Sequence, residues 1–178
     1  MKPRIVIIGA GGHGKVVCET ILSNEQFNIV GFIDSNKEVG TTITNDIKII
    51  ASQDNLKHLK DFADCFVVAI GNNKIRENIY NEALKYLLPA TIIHPTAIIE
   101  KSAVIKNGVV CLANAVVCSD SIIGENTIVN VSVVVDHECK IGANVHLAIG
   151  TLVGSNTVIA DGYSSSIGAR IETFSKLL

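Results

Sequence analysis

The sequence predicts an α/β half-domain with a parallel sheet over residues 1–90, followed by a parallel β-helix over residues 91–178. Three observations predict it. Short β runs alternate with helical apolar spacing through the first half. A glycine-rich stretch, Gly9 to Val16, stands where the first run ends. From Ile93 onward an aliphatic residue returns at every sixth position.

With 178 residues the chain is long enough for one ordinary domain or two small ones. Apolar residues make up 48% and charged residues 18%, which favours a packed core over disorder. Aromatics are only 4% with no Trp, so that core is aliphatic and suits strands. A net charge of −2 gives no reason to expect a nucleic acid or a membrane surface as partner. Five cysteines, Cys18, Cys65, Cys111, Cys118 and Cys139, form an odd set without paired spacing, as expected of a reducing cytoplasm. The first apolar run is about four residues, against the roughly 7–15 of a signal sequence, and reads as a buried strand. No run approaches the roughly 20 residues of a membrane span.

In the first half, "RIVIIG" is a strand. "GKVVCETILSN" is helical, with Val16, Val17, Ile21 and Leu22 on its apolar spacing. "NIVGFID" and "DCFVVAIG" are further strands. "NKIRENIYNEALKYL" is a helix with Ile75, Ile79, Leu84 and Leu87 expected inside. About 90 residues allow half of a nucleotide-binding sheet. "LLPATIIHP" is the expected join, with Pro89 and Pro95 as breakers.

The second half is repetitive. Stepping by six from Ile93 to Ile159 meets Ile, Leu or Val at every position except Cys111. Chance would place about five there. Two residues before most of these sits a smaller or β-branched residue, such as Ala115, Ser121, Thr127, Val133 or Cys139. Each unit is then a short strand and a turn, and three units make a triangular coil. Alternate residues point in, and no coil buries its inner face alone, so stacking is obligatory. The outward positions form three rows: Ile98, Val116, Val134 and Leu152; Val104, Ile122, Lys140 and Val158; and Val110, Ile128 and His146. Apolar rows facing water mark an interface, which predicts a homo-oligomer with His146 at a subunit boundary.

"GAGGHGKV" fits G-x-G-x-x-G at Gly9, Gly11 and Gly14, and Asp34 lies 20 residues beyond Gly14, as in a Rossmann-like nucleotide fold. It also nearly fits a triphosphate loop, but Val16 replaces the magnesium-binding hydroxyl. A phosphate at the helix N-terminus is the functional reading, with His13 in reach of a diphosphate. A ligand-free tight turn with an exposed histidine is the bland one.

His137 and Glu138 fall two and three places past the inward Val135, in a corner of the triangle. Cys139 is an inward position, so His137, Cys139 and His146 cannot converge on zinc, and no metal is expected. Imidazole exchanges protons near neutrality and suits general-base work, and a neighbouring carboxylate can orient the ring. With no covalent nucleophile in the pattern, direct attack of a bound amine or hydroxyl on a thioester fits best. The bland reading is a pair of polar residues decorating a turn.

"GAGGHGK", "FID", "AIGNNKIR" and "VVVDHECKIGANVHLAIG" together resemble the bacterial nucleotide-sugar acyltransferases of the hexapeptide-repeat family. The resemblance is strongest to the UDP-4-amino-sugar N-acetyltransferases, with sialic acid O-acetyltransferases as relatives. It implies a Rossmann-like half-domain followed by a left-handed parallel β-helix, a homotrimer with intersubunit active sites, and acetyl-CoA as co-substrate. It implies His137 as general base, Glu138 raising its basicity, and His146 near the thioester carbonyl. Gly11, Gly12, His13, Asp34, Ser35 and Gly71 would hold the nucleotide-sugar, the backbone around Ile167 would meet coenzyme A, and Asn130 is a candidate at the acceptor site. After "YSSSIGARI" this sequence runs "ETFSKLL", where the resemblance implies another coil and a capping tail. The β-helix domain is thus expected to be C-terminally short relative to the family.

The expected function is acetyl transfer from acetyl-CoA to the amine of a UDP- or dTDP-linked amino-deoxy sugar in surface-glycan biosynthesis. The competing readings are O-acetylation of a sialic acid-like sugar and a catalytically impaired sugar-nucleotide-binding protein. NAD-dependent chemistry would match the glycines but leave the repeats unexplained.

Overall fold

The computed structural model describes residues 1–178, the side chain of Asn55 excepted. The chain divides into two compact units, Met1–Ala90 and Thr91–Leu178.

The first unit runs β1 (Arg4–Ile8), α1 (Gly12–Asn24), β2 (Asn28–Ile33), β3 (Thr42–Thr44), β4 (Ile47–Ala51), a 3-10 helix (Gln53–Asp61), β5 (Cys65–Val68), α2 (Asn73–Ala83) and β6 (Leu88–Pro89). Its sheet has the order β3-β4-β2-β1-β5-β6. All pairs are parallel except β3 with β4, an antiparallel hairpin closed by Asn45 and Asp46 in left-handed conformation. Ile5 to Ile8 are fully buried, as expected of a central parallel strand covered on both faces. The strand order reverses at β1, since β2 lies on one side and β5 on the other. The loops after β1 and β5 therefore flank a topological switch point, where open α/β sheets bind ligands.

Both helices form where the spacing predicts them, and each expected face is inside in part, with Ile79 and Leu87 of the second packed partly buried against the core. In α1, Val17 and Ile21 are buried, whereas Val16 and Leu22 are exposed. In α2 the buried residues are Arg76, Tyr80 and Ala83, and Ile75 and Leu84 are exposed. Phe66 and Tyr80 pack with ring centroids 5.7 Å apart in the core beside Ile79.

The second unit is a triangular parallel β-helix. Two-residue strands stack with a register of 18, for example Ile98, Val116, Val134 and Leu152 on one face. The sixfold repeat runs on past Ile159 to Arg170–Ile171 and Lys176–Leu177. Inside are Val109, Cys111, Ala115, Val117, Ile123, Val129, Val133, Val135, Cys139, Ile141, Val145 and Leu147. Each buried aliphatic side chain contributes about 1.5–3 kcal/mol. Inward hydroxyls are bonded: Ser121 donates to the Asp136 carbonyl at 2.6 Å, and Thr127 to that of Gly142 at 2.9 Å.

The turns obey a rule of their own. From Gly108 to Phe174 every sixth residue has a left-handed φ, and all but Ser132, Glu138 and Phe174 are Gly, Asn or Asp. Of the outward rows, Ile98, Val104, Ile122 and Leu152 are exposed as expected. Val110 and Ile128 are buried, so their row is not the open apolar face the sequence predicted.

Candidate functional site

Two groups of residues carry the chemistry, one in each unit. The first is a pocket of about 310 Å3 lined by Gly9, Gly11, Gly12, His13, Asp34, Asn36, Gln53, Ala69, Ile70, Gly71 and Ile75. Every lining residue but Ile75 follows the C-terminal end of a parallel strand, β1, β2, β4 or β5, so the pocket occupies the switch point. The glycines divide the work. A Cβ on Gly14 would lie 2.1 Å from the Gly9 carbonyl oxygen, so this glycine allows α1 to close onto β1. Gly9 has φ +108, and a Cβ there would meet Ala69 and Ile70. Gly11 and Gly12 face open space, which leaves their backbone approachable. α1 starts at Gly12 with no side-chain cap and no acid in its first turn, and α2 starts beside the pocket at Asn73. Two helix N-termini thus adjoin one pocket, an arrangement suited to a diphosphate.

Asp34 is buried and already engaged. Its carboxylate accepts from the Ala10 amide and the Asn36 amide, both at 2.8 Å, and so fixes the loops after β1 and β2 to each other. Ser35 does not line the pocket. Its hydroxyl lies 3.2 Å from that of Ser52 and accepts from the Gln53 amide. Asn36, Gln53, Ile70 and Ile75, which the sequence motif does not mark, are part of the wall.

The second group sits on a corner of the β-helix. The His137 Nδ1 is 3.0 Å from Glu138 Oε2, and the His137 amide donates to Asp136 Oδ1 at 2.7 Å. Its Nε2 lies 3.9 Å from the same Asp136 oxygen, beyond hydrogen-bond reach, and half of the side chain is exposed. The corner is held from both adjoining coils. Ser121, fully buried, donates to the Asp136 carbonyl and accepts from the Cys139 amide at 2.9 Å. The Glu138 amide donates to the Ser119 carbonyl. From the next coil, the Asn156 amide donates to the His137 carbonyl at 3.0 Å, and its side chain to Glu138 Oε2 at 3.3 Å. Burial pushes the Cys139 thiol up, which suits packing and not ligation.

Asp136 also lines a groove of about 390 Å3 with Val134, Leu152, Gly154, Arg170, Glu172 and Thr173, among others. His146 lies on a different face, in register with Ile128. Its Nε2 is 3.1 Å from the Asn130 amide, so this nitrogen accepts and the ring proton sits on Nδ1. Asn130 therefore belongs with His146 and not with the first pocket. Ile167 is exposed in a turn near the end of the chain. Among the described residues no group of His, Cys, Asp or Glu converges as metal ligands.

A switch-point pocket of this kind, in one chain with a parallel β-helix bearing a corner His–Glu pair, defines the class of hexapeptide-repeat acyltransferases. The family model of the PglD N-terminal domain matches residues 4–83. Perosamine N-acetyltransferase from Caulobacter crescentus, solved with CoA and GDP-perosamine, is 27% identical with a TM-score of 0.79. The match covers 97% of this chain and 84% of that one. The acetyltransferase domain of PglB from Neisseria gonorrhoeae, solved with acetyl coenzyme A, is 32% identical over 99% of this chain and 88% of that one, with a TM-score of 0.74. WeeI from Acinetobacter baumannii shares the fold at 24% identity, 95% and 88% coverage and a TM-score of 0.66. No curated protein sequence matches the chain. The chain belongs to the hexapeptide-repeat family of sugar acetyltransferases, and its β-helix is the left-handed one of that family. It is an acyltransferase with acetyl-CoA as co-substrate.

Proposed function

We propose that the protein transfers the acetyl group of acetyl-CoA to the amine of a nucleotide-linked amino-deoxy sugar in bacterial surface-glycan biosynthesis, with His137 as general base. The observation that carries this reading is the corner pair: Glu138 engages Nδ1, which leaves Nε2 as the face of the ring open to a substrate. The amine nitrogen attacks the thioester carbonyl as His137 takes its proton. The carbon–sulfur bond then breaks, and the CoA thiolate leaves with the electron pair and is protonated. His146, with its proton on Nδ1, is a donor for the developing oxyanion. The groove beside Asp136 is apolar along Val134 and Leu152, which suits the acyl-donor arm, and the Ile167 backbone is a further contact for it. Gly11, Gly12, His13 and Gly71 hold the diphosphate, with Asp34 and Ser35 bracing the wall.

UDP or dTDP is the carrier we favour, and the GDP-perosamine bound to one relative adds GDP to the panel. We infer a homotrimer with active sites between subunits, because His137 and His146 stand on different sides of one coil and Ile98 and Leu152, at the two ends of one apolar row, are exposed. The reaction belongs in the cytoplasm, where thiols such as the five here stay reduced. Among the described residues no helix is long and apolar enough to cross a membrane. The test is an acetyl-CoA assay against UDP-, dTDP- and GDP-linked amino sugars. His137→Ala should lower kcat by about 10²–10⁴. Unchanged turnover sinks the assignment, and activity on a free sialic acid-like sugar alone points to O-acetylation. Absence of thermal stabilisation by acetyl-CoA points to a binding protein.

A further inference from the structure

Arg76 is the largest fully buried side chain in the protein, with no exposed surface. Its burial is costly: removal from water pushes the guanidinium down to about 10. A buried cation is weak evidence for stability, since a well-packed apolar side chain of similar volume is often neutral or better. Its partners explain its presence. Nη1 donates to the carbonyls of Ile70 at 3.0 Å and Gly71 at 3.2 Å, and Nη2 donates to Asn73 Oδ1 at 2.8 Å. Ile70 and Gly71 line the switch-point pocket. The same segment lies against the glycine loop, since a Cβ on Gly9 would sit 2.7 Å from the Ile70 side chain and 2.8 Å from the Ala69 carbonyl oxygen. The position of Ile70 and Gly71 therefore sets the gap across the pocket.

A trans peptide points its N–H opposite its C=O, and no peptide bond among the described residues is cis. Turning the carbonyls of Ile70 and Gly71 onto Arg76 aims the N–H groups of Gly71 and Asn72 away from it. The guanidinium thus draws two acceptor oxygens inward from a wall whose proposed ligand is an anion. Its planar fork holds the two carbonyls from one nitrogen and the side-chain oxygen from another in a fixed geometry that the single nitrogen of an ammonium does not reproduce.

We propose that Arg76 is a positioning residue for the nucleotide-sugar: it fixes the wall formed by Ile70 and Gly71, and with it the width and polarity of the pocket. This rests on the reading of that pocket as the nucleotide-sugar site.

The test uses the full-length enzyme and two variants, Arg76→Lys and Arg76→Met. UDP, dTDP and GDP are titrated calorimetrically, and kinetics follow the best amino-sugar substrate and acetyl-CoA separately. Both variants should weaken binding of the preferred nucleotide by about tenfold or more. The KM for the sugar should rise, while the KM for acetyl-CoA and kcat at saturating sugar stay within about twofold of wild type. Lysine keeps the charge, so its failure to rescue assigns the effect to the fork. A general loss of structure would move both KM values and kcat together. Nucleotide affinity within about twofold of wild type in either folded variant overturns the proposal. Asn73→Ala, which removes one contact of the fork at the first residue of α2, keeps the question answerable if both substitutions prevent folding. It should weaken nucleotide binding by a smaller factor, and unchanged binding counts against the proposal. Gly11→Val tests the site reading separately. If it leaves nucleotide binding intact, the ligand sits elsewhere, and the reading of the pocket fails independently of Arg76.

Discussion

Glu138 has φ 58 at a turn position where the β-helix otherwise favours Gly, Asn or Asp. An L-residue with a Cβ costs roughly 1–2 kcal/mol there relative to right-handed backbone. Glu138→Ala and Glu138→Gly both remove the contacts to His137 and Asn156. Only the glycine relieves the backbone, at an entropic cost in the unfolded chain of about 0.4–1 kcal/mol. The glycine variant should therefore be more stable than the alanine variant by roughly 0.5–1 kcal/mol. That corresponds to about 1–4 °C in the transition of a chain of this size. Activity should not follow stability. Both variants lose the group that orients the imidazole, and both should lose about 10–100-fold in kcat, the usual effect of removing such a partner. Calorimetric melting and a steady-state acetyl-CoA assay measure the two quantities on the same preparations. Equal melting temperatures would refute the strain argument. Wild-type turnover in both variants would show that Glu138 is not the partner of a catalytic base.

Other expectations follow from the same contacts. Ser121→Ala leaves the Asp136 carbonyl and the Cys139 amide without their buried partner. It should cost about 1–3 kcal/mol in urea unfolding and lower kcat, by releasing the corner that carries His137. Burial pushes the thiols of Cys18 and Cys65 up to about 11 and that of Cys111 up to about 12. These thiols ionise near pH 9 once unfolded, so their contribution is complete below about pH 9 and is lost as pH rises toward 11–12. Melting temperature should fall over that window, and substituting Cys111 by Ala should flatten the fall.

Periodicity made much of this legible. The step of six from Ile93 gives the β-helix, its interior and the corner placement of His137 and Glu138, because each depends on which way a residue points. The glycine spacing gives the switch-point pocket for a similar reason. The helix faces were legible only in part, with Val17, Ile21, Ile79 and Leu87 inside and Val16, Leu22, Ile75 and Leu84 outside, because apolar spacing cannot tell a buried isoleucine from an exposed one. Nothing in the apolar spacing of "NKIRENIY" marks Arg76, yet α2 turns it inward with Tyr80 and leaves Ile75 outside. The contacts that hold the site link residues far apart in sequence, such as Ser121 with Asp136 and Asn156 with Glu138. No local pattern encodes them, although the sixfold return of Asn, Gly and Asp in the turns could have shown Glu138 to be an exception.

The separation of the two histidines allows a sharper test of assembly. His137 and His146 are nine residues apart, half of the 18-residue register; His137 follows a strand of one sheet and His146 lies in a strand of another. Within one subunit they therefore face different sides of the prism. In a cyclic trimer with heterologous contacts, each site would take His137 from one chain and His146 from the next. His137→Ala and His146→Ala subunits, each inactive alone, should then complement when assembled together. Random mixing in equal amounts makes the donor of His137 a His146→Ala chain in half of the sites, and its neighbour a His137→Ala chain in half of those. About one quarter of the wild-type activity should return in the unfractionated mixture, and about one third in trimers purified to contain both chains, each of which has one complete site of three. A site built within one chain returns none, because every chain in the mixture lacks one histidine. Co-expression with two affinity tags, followed by an activity assay on the doubly purified trimers, separates the outcomes. No recovery in verified mixed trimers would place both histidines in the same subunit's site, whereas an active His146→Ala variant would remove His146 from the reaction.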